Sequence, residues 1–352
     1  MNDAQTTVLV TGGAGFIGSA VCRLLASSPG YRVINLDSLT YAANLRSLGS
    51  IEHQPNYCFV GGDICDGNLV AEVLEQYEVD AVIHLAAESH VDRSIAGPAV
   101  FIESNIVGSF RLLEASLARW QGLAERQKEK FRFIHVSTDE VFGDLPFDEG
   151  IFTERSPYRP SSPYSASKAA SDHLARAWFE TYRLPVIVTN CSNNFGPYQY
   201  PEKLIPMVIQ NAVAGRSIPI YGEGRNVRDW LYVEDHASAL KLVLECGSPG
   251  ERYNIGGGAQ RSNLDLTRTI CSMLDQECPL QDGRSHADQI TFVPDRPGHD
   301  RRYAIDATKI RTELGWRPSD TFENSLWRTV RWYLDNPWWW RHTKAEALES
   351  VA

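Results

Sequence analysis

A tyrosine and a lysine four residues apart, Tyr164 and Lys168, could together remove a proton from an alcohol. Residues with this spacing lie on one face of a helix, about one turn from each other. A lysine ammonium beside a phenol favours the phenolate, which would make Tyr164 a base for the first step of an alcohol oxidation. The same spacing also occurs on ordinary surface helices, so the interpretation needs support from the rest of the chain.

Two adjacent carboxyl groups, Asp139 and Glu140, follow Ser137 and Thr138 at the end of an apolar run at 131–136. One carboxyl group of such a pair can act as an acid while the other acts as a base. An oxidation alone would need only the tyrosine and the lysine. The two sets together therefore indicate an oxidation combined with an elimination.

The glycine-rich segment 11–18 lies between an apolar run at 7–10, which predicts a buried strand, and an amphipathic helix predicted at 19–25. Gly12, Gly15 and Gly18 would let the backbone approach a pyrophosphate, to which the helix would offer its free N–H groups. A second strand predicted at 32–36 ends in Asp37, which suits ribose hydroxyls and repels a 2′-phosphate. The pattern predicts binding of NAD rather than NADP.

Further strands are predicted at 57–61, 81–86 and 184–189, with helices at about 98–118 and from the tyrosine–lysine pair to about 182. Asp63 would lie near the adenine or cap a helix, and Asn105 could hold backbone near the active site. We predict an α/β fold with a Rossmann-type doubly wound parallel sheet. Residues 1–195 would form the NAD-binding domain. Residues 196–340 would form a smaller mixed α/β C-terminal domain that mainly binds substrate, with some chain returning to the first domain.

The chain after residue 195 is rich in turns and carries recurrent cations in its predicted loops. Several cations together in this second region suggest a phosphate-bearing substrate. The segment Trp338–Trp340 predicts packing, with an oligomer contact as the alternative. The cations in question are Lys203, Arg225, Arg228, Arg296, Arg301 and Arg302.

Composition excludes several classes of function. The 352 residues carry a formal net charge of −10, which argues against non-specific binding to nucleic acid or to an anionic membrane.

Seven scattered cysteines without a CxxC pair predict reduced thiols and a cytoplasmic protein. The histidines form no HxxxH or His/Cys cluster, so we predict no metal. Neither a signal sequence nor an apolar run approaching 18 residues is present, so we expect no membrane segment.

These motifs together resemble the extended short-chain dehydrogenase/reductase family over residues 7–338. The glycine pattern and the tyrosine–lysine pair are family-wide. The segments 138–143, 198–206 and 224–230 are more specific, because they are similar to sugar-nucleotide 4,6-dehydratases of the thymidine type. Phe142 is a small departure, since members often have tyrosine there.

The resemblance implies an NAD-dependent dehydration of dTDP-glucose by a homodimer that pairs through the helices near 98–118 and 163–182 as a four-helix bundle. Tyr164 would be the base at the glucosyl O4, and Lys168 would lower its pKa and hold the nicotinamide ribose. Thr138 would hydrogen bond near O4. Asp139 would protonate the departing C6 hydroxyl, and Glu140 would be the base at C5.

The resemblance also implies two sets of binding residues. The cofactor set comprises Gly12, Gly15, Phe16, Ile17, Gly18, Asp37, Ser38, Leu39, Thr40, Tyr41, Asp63, Ile64, Leu85, Ala86, Ala87, Ser104, Tyr164, Lys168 and Asn194. The substrate set comprises Ser89, Thr138, Asn193, Lys203, Leu204, Pro219, Ile220, Tyr221, Arg228, Asn263, Asp295, Arg296, Pro297, Gly298, His299 and Tyr303.

Three alternative functions remain open. The chain could be a 4,6-dehydratase acting on UDP-glucose or GDP-mannose. It could be a C4 epimerase, against which the Asp139–Glu140 pair is the discriminating feature. It could also be a non-catalytic NAD-binding protein of the same fold, against which Thr138, Tyr164 and Lys168 all argue.

Overall fold

Twelve strands form the sheets of the computed structural model, which describes residues 5–295 and 297–341. They are β1 (Thr6–Thr11), β2 (Tyr31–Asp37), β3 (Tyr57–Gly61), β4 (Ala81–His84), β5 (Arg132–Thr138), β6 (Val186–Cys191), β7 (Asn193–Phe195), β8 (Ile218–Tyr221), β9 (Val227–Tyr232), β10 (Arg252–Ile255), β11 (Gln260–Ser262) and β12 (Ile290–Val293).

Thirteen α-helices accompany these strands in the described ranges. They are α1 (Phe16–Ala26), α2 (Gly67–Gln76), α3 (Val91–Ala96), α4 (Ala99–Ile102), α5 (Ser109–Gly122), α6 (Glu125–Lys130), α7 (Pro163–Tyr182), α8 (Leu204–Val213), α9 (Val233–Cys246), α10 (Asn263–Glu277), α11 (Thr308–Glu313), α12 (Phe322–Asp335) and α13 (Trp338–Arg341). Short 3-10 turns occur at Leu45–Leu48, Asp139–Phe142 and His286–Gln289, and a π-helical turn at Glu103–Gly108.

The main sheet has seven parallel strands in the order β3–β2–β1–β4–β5–β6–β10. Its strands are apolar runs because both faces are covered, and two separate hydrophobic clusters pack on them. The direction of strand addition reverses between β1 and β4, and in such sheets ligands bind outside the carboxyl ends of the strands at this point. The predicted doubly wound parallel sheet is confirmed.

The helix predicted at 98–118 is present but is built from three pieces. Helices α4 and α5 are joined by the π-helical turn at Glu103–Gly108. Single π-helical turns are rare and occur inside α-helices, so a helical pattern in the sequence does not show where one falls. By contrast, α7 begins where local chemistry predicts, since Ser162 caps it and Pro163 occupies its first turn.

The C-terminal part combines two small sheets with helices α8, α10 and α12. One sheet has the order β11–β9–β7, and the other pairs β12 with β8 in parallel. A third hydrophobic cluster fills the space between these elements. Strand β10 extends the main sheet, so the chain returns to the first part after crossing into the second.

The tryptophans at the end of the described chain pack inside the protein. Trp339 is buried, and its indole N–H donates to the carbonyl oxygen of Gln199 at 3.0 Å. Trp338 donates to Asn336 Oδ1 at 2.9 Å, and its ring lies under the guanidinium of Arg46. The predicted packing role of this segment is confirmed.

All seven cysteines are free thiols. Across residues 5–295 and 297–341, no cluster of His, Cys, Asp or Glu is arranged to hold a metal ion. Within the same ranges, no helix combines the length and the apolarity needed to cross a membrane.

Candidate active site

The glycine-rich loop between β1 and α1 is shaped by contacts that admit no side chain. Gly12 has a φ of +73°, and a Cβ there would lie 2.7 Å from Cα of Ala86. A Cβ on Gly18 would lie 2.1 Å from the carbonyl oxygen of Gly12. No side chain caps α1 at Gly15, and its first turn carries no acidic residue. The loop therefore presents free backbone N–H groups at a helix N terminus, which suits a pyrophosphate.

Asp37, the last residue of β2, is tied to this loop by its carboxylate. Its Oδ2 accepts from the Ala14 N–H at 2.9 Å and its Oδ1 from the Leu39 N–H at 2.8 Å. Burial raises the pKa of Asp37, while these backbone N–H groups lower it. The carboxylate thus shapes the loop, in addition to lining the cavity described below.

Thr138 ends β5 and starts the 3-10 turn that carries both candidate acid–base carboxyl groups. Its hydroxyl accepts from the Glu140 N–H at 3.3 Å and donates to Asp139 Oδ1 at 3.4 Å. Burial raises the pKa of Asp139 well above its usual value, and the negative charges of Glu140 and Asp229 raise it further. A raised pKa favours the protonated form of a carboxyl group, which is the form that can donate a proton, so Asp139 is suited to act as an acid.

Tyr164 and Lys168 lie on the first turns of α7, and both side chains are buried. Burial raises the pKa of Tyr164 well above 10.0, the charge of Glu140 adds to this, and a hydrogen bond with Thr138 opposes it. The Lys168 ammonium donates to the carbonyl oxygen of Val136 at 3.0 Å. The effects that dominate in the protein alone therefore disfavour the phenolate, and a nearby positive charge must offset them before Tyr164 can act as a base.

Asn105 lies on the π-helical turn and holds the backbone between β4 and α3. Its Oδ1 accepts from the Glu88 N–H, and its Nδ2 donates to the Glu88 carbonyl oxygen, both at 2.9 Å. Nδ2 also donates to the Ser167 hydroxyl at 2.9 Å, and that hydroxyl donates to the Tyr164 carbonyl oxygen at 2.7 Å. The predicted role of Asn105 in holding backbone near the site is confirmed.

One cavity of about 360 Å³ brings most of the predicted residues together at the carboxyl ends of the strands. Every member of the predicted catalytic set lines it, namely Thr138, Asp139, Glu140, Tyr164 and Lys168. The predicted cofactor residues that line it are Gly12, Gly15, Phe16, Ile17, Gly18, Asp37, Ser38, Thr40, Asp63, Ile64, Leu85, Ala86, Ala87, Ser104 and Asn194. The predicted substrate residues that line it are Ser89, Thr138, Asn193 and Lys203.

Two predicted cofactor residues do not line this cavity. Leu39 has a φ of +53° and an exposed side chain. The Tyr41 ring lies edge-on to Tyr200 and under the guanidinium of Arg93, whose Cζ is 3.6 Å from the ring centroid. Successive residues of a loop point in different directions. A continuous run of residues that is assigned to a cavity therefore includes some that do not line it.

Asp63 does not cap a helix. The cap of α2 is Asp66, whose Oδ1 accepts from the N–H groups of Asn68 and Leu69. Asp63 instead accepts from the Cys65 N–H at 2.8 Å. Of the two interpretations of Asp63, the helix cap is wrong, and ligand contact stays a prediction.

Most of the predicted substrate residues lie in the C-terminal part, outside the lining of this cavity. Arg228 and Tyr303 contact each other, with the guanidinium carbon 4.3 Å from the ring centroid. Arg228 also donates to the carbonyl oxygen of Asp300 at 3.0 Å, and the Asp300 carboxylate accepts from Tyr303 and from Ser161, just before α7. The others are Leu204 on α8, Pro219, Ile220 and Tyr221 on β8, Asn263 on α10, and Asp295, Pro297, Gly298 and His299 after β12. Arg296 lies outside the described residues.

Besides Arg228, at least three of the cations singled out in the sequence have protein partners. Arg301 pairs with Asp144 at 2.6 Å, and Arg225 pairs with Glu223 at 2.7 Å. Arg302 donates to carbonyl oxygens of the 146–150 loop. These contacts explain the cations without a phosphate, whereas Arg228 lies close enough to lower the pKa of Asp139.

Several lining residues were not among the predicted sets. Some of them are next to predicted residues in the chain, and this adjacency is the feature of the sequence that could have identified them. The buried oxygens Ser137 Oγ and Asn193 Oδ1 have no hydrogen-bond partner within the described chain, so they are available to a ligand. The additional lining residues are Leu36, Ala42, Ala43, Gly62, Glu88, Val100, Val136, Ser137, Cys191, Ser192, Gln199 and Tyr200.

Known proteins that are similar to this chain include several dehydratases of sugar nucleotides. A family model described as GDP-mannose 4,6 dehydratase matches residues 9–329. The dTDP-glucose 4,6-dehydratase of Salmonella typhimurium (strain LT2) is 57% identical over 351 residues, which cover 97% of each chain. The crystal structure of the Streptomyces venezuelae dTDP-glucose 4,6-dehydratase DesIV, solved with NAD bound, is 46% identical. It covers 96% of this chain and 100% of that chain, with a TM-score of 0.85.

The fold is shared with enzymes of different activity. A UDP-glucose 4-epimerase of Thermotoga maritima superimposes with a TM-score of 0.82 and covers 94% of this chain and 100% of that chain, but it is only 29% identical. Overall shape therefore does not separate dehydratases from epimerases, so the activity has to be argued from the site.

Proposed function

The chain belongs to the GDP-mannose 4,6 dehydratase family, and we propose that within it the protein converts dTDP-glucose to dTDP-4-keto-6-deoxyglucose and water. The observation that carries this function is the cavity itself. A glycine-rich pyrophosphate loop, a tyrosine–lysine pair and a buried acid beside a second carboxyl group all line it.

The cofactor is NAD, and the residues present fit it. The loop at Gly12–Gly18 offers N–H groups to a pyrophosphate, and the Asp37 carboxylate suits ribose hydroxyls. When bound, NAD accepts the hydrogen from C4 of the glucosyl ring and later returns it to C6. A bound nicotinamide would also bring a positive charge, which would favour the phenolate of Tyr164.

Tyr164 removes the proton from the C4 hydroxyl while Thr138 holds the same oxygen. An unperturbed tyrosine titrates near pH 10, and working at about pH 7 requires roughly 4 kcal/mol of differential stabilisation. Burial acts in the opposite direction here. We expect Lys168 and the cationic nicotinamide together to supply the stabilisation.

Glu140 and Asp139 then eliminate water across C5 and C6. The C4 ketone acidifies the C5 proton, which Glu140 removes as a base. Asp139 gives its proton to the C6 hydroxyl, which leaves as water, and the C5–C6 double bond forms. Once C6 has received the hydrogen from C4, C5 takes up a proton. The sugar has lost one water, and its oxidation level is otherwise unchanged.

The raised pKa of Asp139 favours this reaction over C4 epimerisation. Epimerisation needs no acid at C6, so it gives no reason to keep a protonated carboxyl group in the cavity. UDP-glucose and GDP-mannose remain alternative substrates. We expect residues of the C-terminal part around β8 and the 295–303 segment to select the thymidine nucleotide.

The organisation of the molecule is also part of the proposal. Residues 1–195 form the NAD-binding domain and 196–340 mainly the substrate-binding domain. We expect a homodimer that pairs through α4–α5 and α7, because Ile102 and Tyr182 leave apolar side chains 46% exposed on these helices. Seven free cysteines, with Cys22, Cys191 and Cys271 buried, suit a reducing compartment, so we place the protein in the cytoplasm.

Incubation of the purified protein with dTDP-glucose tests the function. The expected product is a 4-keto sugar, which is detected by its absorbance in alkali, and the Tyr164→Phe variant is the matched control. UDP-glucose and GDP-mannose are assayed in parallel. Faster turnover of either one, or no keto product from dTDP-glucose, would overturn the assignment.

A further inference from the structure

Asp172 lies one turn after Lys168 on α7, at the centre of a buried network of hydrogen bonds. Its side chain is fully buried, and it is not among the cavity-lining residues. Its Oδ1 lies 3.1 Å from Nε2 of His135. Its Oδ2 accepts from the Tyr158 hydroxyl at 2.6 Å and from Asn190 Nδ2 at 3.3 Å. Three side chains from separate parts of the chain thus contact one carboxylate that has no role in the proposed reaction.

These contacts keep Asp172 ionised. Burial alone would raise its pKa, but the hydrogen bonds with His135 and Tyr158 and the charge of Lys168 together hold the pKa below its ordinary value. Hydrogen bonds to the charged form of a carboxyl group favour that form. The protein therefore maintains a buried negative charge beside its catalytic lysine.

Lys168 needs such a charge. Its side chain is buried, and its ammonium donates to the neutral carbonyl oxygen of Val136. Burial lowers the pKa of Lys168, and the charge of Asp172 is the largest effect in the opposite direction. A buried ammonium without a compensating charge tends to lose its proton.

Four ionisable groups on the strands next to this lysine and on its own helix are neutral near pH 7. Burial lowers the pKa of His84 on β4 and of His135 on β5. It raises the pKa of Cys191 on β6 to about 12, and it raises that of Tyr164 on α7. Helix α5 presents the uncharged Ser109 toward His84.

Asp139 and Glu140 also line the cavity, and their charges raise the pKa of Tyr164, but neither is among the groups that shift the pKa of Lys168. Tyr158 contacts Asp172, and Arg252 contacts Tyr158. Burial raises the pKa of Tyr158, and the guanidinium carbon of Arg252 is 4.7 Å from the Tyr158 ring centroid. Arg252 also donates to the Glu154 carbonyl oxygen at 3.1 Å. Asp172 is thus the negative charge that compensates Lys168.

We propose that Asp172 is a positioning residue whose carboxylate keeps Lys168 as an ammonium ion during the reaction. Lys168 in that form can hold the nicotinamide ribose and stabilise the Tyr164 phenolate. A neutral lysine amine would do neither. This inference rests on the proposed function, because it assigns Asp172 a task only if Lys168 acts in that reaction.

The Asp172→Asn variant tests the inference through the pH dependence of kcat/KM for dTDP-glucose. Removing the negative charge lowers the pKa of Lys168, so the alkaline limb of the profile should move to lower pH by at least one pH unit. The dissociation constant of NAD, measured by tryptophan fluorescence, should begin to rise at the same lower pH. Asp172→Ser is a second uncharged variant in case the asparagine variant does not fold, and it should shift both curves in the same direction.

Tyr158→Phe is the matched control, since it removes one hydrogen bond from the same carboxylate and leaves the charge. Its alkaline limb should coincide with that of the unchanged protein. An equal loss of activity at every pH in the uncharged variants, with no movement of the limb, would show that Asp172 is only structural. A shift of the same size in Tyr158→Phe would also overturn the inference. If the unchanged protein makes no 4-keto product, the proposed function fails instead.

Discussion

Asp139 and Glu140 are neighbours in the chain, but their surroundings differ. Asp139 is buried among negative charges that raise its pKa, while Glu140 is partly exposed at the cavity. The proposed division into an acid at C6 and a base at C5 rests on this difference. In the proposed reaction neither group is required at O4, where Tyr164 would act.

Substitutions of these three residues should therefore stop the reaction at different points. Tyr164→Phe should lower turnover by about 10²–10⁴-fold and leave the C4 hydrogen in place. Asp139→Asn and Glu140→Gln should lower turnover comparably, but should still permit removal of the C4 hydrogen, seen as absorbance of reduced nicotinamide on the enzyme. Equal loss of this absorbance in all three variants would show that the roles are not separate.

Asp37 should make the protein selective for NAD. The Asp37 carboxylate would repel the 2′-phosphate of NADP. Asp37→Asn removes this repulsion, so the dissociation constants of NAD and NADP should become more similar. The asparagine oxygen can accept from only one of the N–H groups of Ala14 and Leu39, so both cofactors should bind less tightly, and the ratio of the two constants is the measure of selectivity. Equal affinity of the unchanged protein for both cofactors would contradict this prediction.

At the scale of elements, local chemistry made part of the site predictable. The glycine-rich turn, the capped start of α7 and the carboxyl end of β5 each follow from a few adjacent residues, so their lining residues were found from sequence. The partners of Arg301 and Arg302, by contrast, lie on a segment far away in the chain. Sequence patterns do not contain that information.

The close packing of the glycine-rich turn predicts a strong effect at Gly18. A Cβ there would meet the Gly12 carbonyl oxygen at 2.1 Å, so Gly18→Ala must displace backbone and should cost about 1–3 kcal/mol of unfolding free energy, with weaker NAD binding. Gly49→Ala is the control, since its Cβ would make an ordinary contact at 3.6 Å. Urea unfolding measures both variants. A Gly18→Ala variant as stable as the control would contradict the packing argument.

At the scale of the whole molecule, the expected homodimer can be tested at one apolar position. Ile102 is 46% exposed on α4, and Ile102→Glu should place a charge in the interface and give a monomer by light scattering. Ile151 is 50% exposed outside these helices, so Ile151→Glu should leave the dimer intact. A monomer mass for the unchanged protein at micromolar concentration would refute the prediction.

The fate of the hydrogen at C4 tests the central claim most directly, because the whole reaction takes place in one cavity. We expect dTDP-glucose labelled with deuterium at C4 to yield a 4-keto-6-deoxy sugar that carries the deuterium at C6, while C5 takes a proton from solvent. NAD should be needed only in catalytic amount. An epimerase would return the label to C4, and a simple dehydrogenase would release it on the cofactor. Mass spectrometry of the product separates these outcomes, and label found at C4 or on released cofactor would contradict the dehydratase assignment.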